Sequence, residues 1–287
     1  MLWILFACLT ALFESLKDLA SKHRLQTTDP YLVAWSLAFF SLPLLWPLVL
    51  WLGIPPLGAQ FGLALWVGGS LNVISMTMYI RAISLSDLSL TVPLITLTPM
   101  FLLITSPLIV GEVADWSDIV GIALIVGGSY VLNLRQSQKG WWAPVQRLWC
   151  DRGSRLMSFV ALIWSITAVF DKVGVQNSSP TFWVVALFSF LAVGMLPMVL
   201  IKSPQPVQAL AKHWWALAPI GVLQGIAVVF QMQAISLALV TQVIAIKRTS
   251  ALLSVLWGCL LLKETGLKDR LMGTAMMVLG VLCITLL

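Results

Sequence analysis

The sequence predicts an all-α membrane protein of ten transmembrane helices arranged as two inverted five-helix repeats. Three observations predict it: an apolar composition, ten apolar runs of spanning length, and a self-alignment of the two halves. Of 287 residues, 60% are Ala, Val, Ile, Leu, Met, Phe, Trp, Tyr or Cys, and only 10% are Asp, Glu, Lys or Arg. A typical soluble domain carries about 25% charged residues. The mean hydropathy of +0.97 excludes a soluble globule, which would aggregate through so much apolar surface. It also excludes disorder, which requires low hydrophobicity. A bilayer core of about 30 Å takes about 20 apolar residues per helix, so ten spans use roughly 200 residues and leave no stretch for a soluble domain.

The spans fall at about 2–21, 31–52, 61–80, 90–110, 117–134, 156–175, 181–201, 214–235, 240–262 and 269–287. The breakers Asp29-Pro30, Pro55-Pro56, Gly111-Glu112, Ser179-Pro180 and Ser203-Pro204 separate them. The first apolar run continues into Glu14, Lys17 and Asp18 with no small-residue cleavage site, which predicts a retained helix rather than a signal peptide. Residues 135–155 are the longest polar stretch. They hold five cations against Asp151, with Trp141, Trp142 and Trp149 suited to a membrane interface. The expected organisation is therefore a first repeat over 1–134, a basic cytoplasmic linker over 135–155 and a second repeat over 156–287.

The net charge of +6 does not point to nucleic acid, because the cations sit in short loops where Lys and Arg set orientation. Thirteen of the seventeen fall on one side: Lys22, Arg24, Arg81, Arg135, Lys139, Arg147, Arg152, Arg155, Lys202, Lys212, Lys263, Lys268 and Arg270. The opposite side holds Lys172 alone, together with the acidic loop of Glu112, Asp115 and Asp118. Both termini are expected outside the cytoplasm. The cysteines Cys8, Cys150, Cys259 and Cys283 are far apart and form no CxxC pair, so they read as apolar filler. His23 and His213 have no second ligand at metal spacing.

The chain aligns with itself. At an offset of 150, Ala11-Leu12, Ser15, Lys22, Gln26 and Pro30 meet Ala161-Leu162, Ser165, Lys172, Gln176 and Pro180. At an offset of 152, Ala82-Ile83-Ser84-Leu85 equals Ala234-Ile235-Ser236-Leu237, and Glu112, Gly121 and Gly128 meet Glu264, Gly273 and Gly280. Five spans per half is an odd number, so the second half enters the membrane from the opposite side. Inverted repeats are the construction of alternating-access transporters, with the substrate near the midplane between them.

The two copies of Glu-x8-Gly-x6-Gly, the Thr91-Val92-Pro93 to Thr98-Pro99 stretch and Ala234-Ile235-Ser236-Leu237 resemble the drug/metabolite transporter superfamily, and within it the EamA-type ten-helix carriers. The resemblance covers nearly the whole chain. It implies a multi-pass protein of the bacterial inner membrane, mostly an exporter of amino acids and related metabolites. It also implies a central cavity lined by helices 1, 3, 4, 6, 8 and 9. This sequence differs from the common pattern in carrying Glu14-Ser15-Leu16-Lys17-Asp18 in helix 1 and Lys247-Arg248 in helix 9.

Those charges are the leading candidates for the substrate site. Two adjacent cations in a span cost at least about 2.5–3.5 kcal/mol each, which points to a binding or pairing role for Lys247 and Arg248. Glu14 and Asp18 stand one turn apart with Lys17 beside them. Glu14 is the candidate for proton coupling; the more distant small multidrug-resistance transporters also use a membrane-embedded Glu in the first helix. An ion pair with Lys17 is the structural alternative. Asn72 and Gln224 are repeat equivalents, and Gln231 lies two turns beyond Gln224. Such amides either bond between helices or meet substrate. Trp164, the repeat partner of Glu14, and Tyr79 are candidates for packing or for the cavity wall. Pro93 and Pro99 free carbonyls in helix 4, Asp171-Lys172 reads as an interfacial ion pair, and Glu112 and Glu264 read as helix caps.

Secondary transport of a small polar metabolite is the expected function, by alternating access with proton coupling or exchange. A lipid flippase or a membrane receptor of the same fold is the alternative. The chain has no HExxH, no GxSxG and no Walker motif, so neither an enzyme nor direct ATP drive is expected. No cofactor or metal, no nucleic acid and no ATPase subunit is implied. The expected partners are the substrate and the bilayer, with the protein monomeric or homodimeric.

Overall fold

Asp29-Pro30 and Ser179-Pro180 open matching helices by the same local chemistry. The Asp29 carboxylate accepts from the backbone N–H groups of Tyr31 and Leu32 (3.0 and 3.1 Å), and the Ser179 hydroxyl accepts from that of Phe182 (3.2 Å). Proline follows at the first helical position, where a missing N–H costs nothing. The structure is a computed structural model, and it describes residues 1–24, 28–85, 94–134, 152–253, 257 and 267–286. Every regular element among them is helical: α1 (Leu2–Arg24), α2 (Pro30–Phe39), α3 (Leu42–Leu52), α4 (Phe61–Leu85), α5 (Thr98–Ile109), α6 (Trp116–Leu134), α7 (Arg152–Gln176), α8 (Pro180–Lys202), α9 (Pro206–Leu237), α10 (Val240–Lys247) and α11 (Leu267–Leu286). α2 and α3 together make one apolar segment, Pro30–Leu52, so each expected span has its helix.

Five segments are long and apolar enough to cross a bilayer: Pro30–Leu52, Phe61–Ala82, Arg152–Gln176, Pro180–Lys202 and Pro206–Leu237. Thr98–Ile109, Trp116–Val131 and Met272–Leu286 are shorter apolar helices. The structure refines three expected spans. The second is interrupted at Phe40-Ser41, and the ninth breaks after Lys247. The eighth begins at Pro206, eight residues before its expected start at Trp214. Its added turns carry Lys212 and lead into the stacked pair Trp214–Trp215, side chains suited to the membrane surface.

By contacts the chain divides into two units, and neither is one sequence repeat. The first unit comprises 1–74 and 170–237. In it α1 packs on α9, with the Phe230 ring stacked on Phe6 and Phe13 at 5.9 and 5.8 Å. Trp35 Nε1 ties α2 to α8 by donating to the Ala192 carbonyl at 2.8 Å. α9 approaches α2 closely at Gly221, where a β-carbon would stand 2.5 Å from that of Phe40. Lys172 and Asp171 are buried in this unit. Lys172 Nζ donates to the Ile235 carbonyl (2.6 Å), one of the last four carbonyls of α9, and so caps that helix. Asp171 Oδ1 accepts from Trp183 Nε1 at 3.0 Å. Lys172 thus anchors the end of α9, and Asp171 anchors the Trp183 indole of α8.

The second unit comprises 75–169 and 238–287. α6 and α11 cross through the repeat glycines. A β-carbon on Gly128 would lie 2.6 Å from the Gly273 carbonyl oxygen, and one on Gly280 would lie 2.6 Å from that of Gly121. The repeat equivalents exchange partners, as a two-fold relation between the copies requires. A buried cluster of Ala82, Leu94, Ile95, Met157 and Val160 joins α4, the segment before α5, and α7.

Candidate functional site

The second unit holds a polar cluster in this apolar surrounding, and it begins with a proline. Pro99 has no N–H to give to the Ile95 carbonyl four residues back. The neighbouring Thr98 hydroxyl donates to that carbonyl instead, at 2.6 Å. Its proton is then committed, so the oxygen can only accept. Arg248 Nη2 donates to it at 3.1 Å. The carbonyl freed by Pro99 is therefore bonded within the protein, and its effect is to aim a hydroxyl acceptor at a guanidinium.

Arg248 reaches this position because the helix breaks where it stands. α10 ends at Lys247, Arg248-Thr249 form a tight turn, and helical geometry resumes at Ser250. The Thr249 N–H bonds to the Ile246 carbonyl three residues back (2.9 Å), and the Thr249 hydroxyl bonds to the same oxygen (2.7 Å). The repeat-equivalent turn lies at Thr96-Leu97, just before α5, with the Leu97 N–H bonded to the Leu94 carbonyl at 3.2 Å. Broken helices at corresponding positions of two inverted repeats are the backbone signature of a transporter site.

Aromatic residues complete the cluster. The Arg248 guanidinium carbon is 6.0 Å from the centroid of the Trp164 ring, at the limit of a cation–π interaction. Trp164 Nε1 donates to the buried Ser75 hydroxyl at 2.9 Å, which fixes the indole. The Tyr79 ring packs against that of Trp164, with centroids 5.6 Å apart. Arg248, Trp164 and Tyr79, all singled out from the sequence, are thus brought together. Ser75 was not singled out, and Thr98 was noted only as part of the family-like stretch. The signal for Thr98 was its place beside Pro99. Lys247, half-buried, is the last residue of α10.

The N-terminal end of α10 is held by residues distant in sequence. Its N-cap position is Leu239, which offers no side-chain acceptor. Glu112 Oε2 accepts from the Val240 N–H at 3.0 Å, and Asp118 Oδ1 accepts from Gln242 Nε2 at 2.9 Å. Asp118 Oδ2 also accepts from the Asp115 N–H at the start of α6. Glu112 is a cap, as expected, but of α10 rather than of the helix it precedes. Glu264, Pro93, Cys150, Cys259 and residues 135–151 of the expected linker lie outside the described residues, as does the side chain of His23; the linker's last four residues, 152–155, already belong to α7.

The remaining candidates lie in the first unit. Lys17 Nζ is 2.7 Å from Glu14 Oε1 and 3.2 Å from Asp18 Oδ1. Glu14 and Lys17 are largely buried, whereas the Asp18 side chain is 51% exposed. One cation between two acids leaves the trio with a net charge of −1. Asn72 Nδ2 donates to the Gly68 carbonyl of its own helix (3.0 Å). Gln231 is buried on α9, and Gln224 Oε1 is buried with no hydrogen-bond partner among the described residues. Among those residues no group of His, Cys, Asp and Glu has the geometry to hold a metal ion.

Apolar helices of spanning length, repeat-related helix breaks and a cation set in one of them define a multi-pass membrane transporter. The sequence profile described as the EamA-like transporter family matches residues 1–134 and 152–286, and the chain belongs to that family, within the drug/metabolite transporter superfamily. The chain is also similar to a solved structure described only as a crystal structure of a protein: 18% identity, a TM-score of 0.80, and coverage of 99% of this chain and 98% of that one. That likeness concerns the fold. The curated proteins contain no match to the chain.

Proposed function

We propose that the chain is a secondary exporter of small polar metabolites bearing a carboxylate or similar anionic group, working by alternating access. The observation that carries this reading is Arg248: a guanidinium in a helix break, anchored by one nitrogen to Thr98 and set against Trp164. A guanidinium presents its five N–H donors in a planar fork, the geometry that grips a planar anion. Lys247 adds charge beside it. Tyr79 and Trp164 form an aromatic wall, while Asn72, Gln224 and Gln231 supply amides. Glu14 is the coupling carboxylate, with Lys17 and Asp18 setting its electrostatics. A proton gradient or substrate exchange drives the cycle, because the sequence carries no nucleotide-binding motif.

The test is export from a cell lacking its native exporters, with the medium read by mass spectrometry against a panel of amino acids and organic anions. Substrates found there stabilise the purified protein against heat. Glu14→Gln keeps a hydrogen-bond acceptor for Lys17 but cannot exchange a proton. It is expected to lose the pH dependence of transport while substrate exchange persists, and an unchanged pH profile would remove Glu14 from coupling.

The protein is assigned to a bacterial inner membrane with both termini outside the cytoplasm. The support is the thirteen cations that the sequence places on one side against Lys172 on the other, with Lys172 itself buried at 7% exposure. A C-terminal alkaline phosphatase fusion is expected to be active and a C-terminal green fluorescent protein fusion dark. The opposite pattern would invert the assignment.

A further inference from the structure

Away from the cluster at Arg248, the end of α4 and the start of α7 gather three arginines beside an apolar wall. Arg81, Arg152 and Arg155 line a groove of about 370 Å³ together with Leu85, Leu156 and Phe159. Arg81 lies one residue from the end of the apolar segment Phe61–Ala82, and Arg152 is the first residue of Arg152–Gln176. In a membrane the ends of spans lie at headgroup depth. Among the described residues no acidic residue lines the groove, and neither Arg152 nor Arg155 has an ion-pair partner. Like charges gathered this closely repel, and the positive end of the α7 dipole adds to the same field. Arg152 and Arg155 therefore present their charge to an anion in the groove.

The wall decides which anion. Leu85 and Phe159 are 51% and 57% exposed, so the groove sets an apolar surface directly beside its cations. A soluble phosphate makes no use of that surface, whereas a lipid satisfies both parts. We propose that this groove binds the phosphodiester headgroup of an anionic phospholipid, with the phosphate held by Arg81, Arg152 and Arg155 and an acyl chain lying along Leu85, Leu156 and Phe159. Basic pockets at the ends of spans are the expected headgroup sites of membrane proteins. The site is separate from the cluster at Arg248 and does not depend on the substrate or direction of transport.

The experiment titrates the purified full-length protein with phosphatidylglycerol, phosphatidylcholine and inorganic phosphate, reading bound lipid by native mass spectrometry and stability by thermal unfolding. Phosphatidylglycerol is expected to bind and stabilise in preference to phosphatidylcholine. Each surface arginine contributes about fivefold, so Arg152→Gln with Arg155→Gln weakens phosphatidylglycerol binding about 25-fold. Arg155→Gln alone, at an exposed position, gives about fivefold and serves if the double variant does not fold. Phe159→Ala is expected to weaken lipid binding and leave any phosphate binding unchanged. Equal binding of the two lipids, or wild-type affinity for phosphatidylglycerol in Arg155→Gln, overturns the proposal. Displacement of phosphatidylglycerol by inorganic phosphate at equal concentration also overturns it, and would make the groove a soluble-anion site.

Discussion

Arg248→Met is expected to abolish transport and substrate-induced thermal stabilisation while the protein still folds. Truncating one partner of a buried, hydrogen-bonded charge pair costs about 2–5 kcal/mol, which is roughly 30-fold or more in substrate affinity. The protein's own loss is smaller. Thr98 keeps its bond to the Ile95 carbonyl, and Trp164 keeps its bond to Ser75. Arg248→Lys is expected to fall between, because an ammonium retains the charge but cannot reach Thr98 and a planar anion in one rigid fork. Thr98→Val removes the acceptor that aims the guanidinium and is expected to cost about 1 kcal/mol, or about fivefold. A fully active, well-folded Arg248→Met protein would refute the binding role. A variant that melts early yet transports normally per folded molecule would make Arg248 a structural cation.

Gly128→Ala is expected to cost up to about 3 kcal/mol of stability, whereas Gly127→Ala next to it is nearly neutral. A methyl group on Gly128 meets backbone: the Gly273 carbonyl oxygen at 2.6 Å and the Met277 nitrogen at 2.9 Å. Neither can move without separating α6 from α11. A methyl group on Gly127 meets only the terminal carbon of Met276 at 3.2 Å, which swings aside. Transmembrane helices gain little from burying apolar surface against one another, so close backbone approach at small residues holds such crossings together. Gly280→Ala faces the Gly121 carbonyl in the same way and is expected to match Gly128→Ala. Thermal unfolding in detergent distinguishes the adjacent pair. Equal melting temperatures would mean that the crossing relaxes.

The sequence by itself determined what depends on composition and on neighbours within a few residues. Apolar runs of bilayer length fixed the helical class, because unbonded backbone is too costly in lipid. Asp29-Pro30 and Ser179-Pro180 fixed helix starts, because a side-chain oxygen two or three residues from an N–H bonds it in any context. The repeated glycines allowed a close crossing, and Lys247-Arg248 marked a candidate site, because charge in a span needs a reason.

The tertiary structure alone decided which groups meet. Glu112 caps a helix that begins 128 residues later, since Leu239 offers no acceptor there. Lys172, matched by the repeat to Lys22, turns inward to the Ile235 carbonyl at the end of α9. Thr98 became part of the candidate site only when the chain broke after α10 at Arg248 and set a guanidinium against a hydroxyl that Pro99 had already oriented. Periodicity and local bonding reach about one helical turn along the chain. Partners 60 to 150 residues apart are selected by how helices pack, and packing is a property of the whole fold rather than of any segment of it.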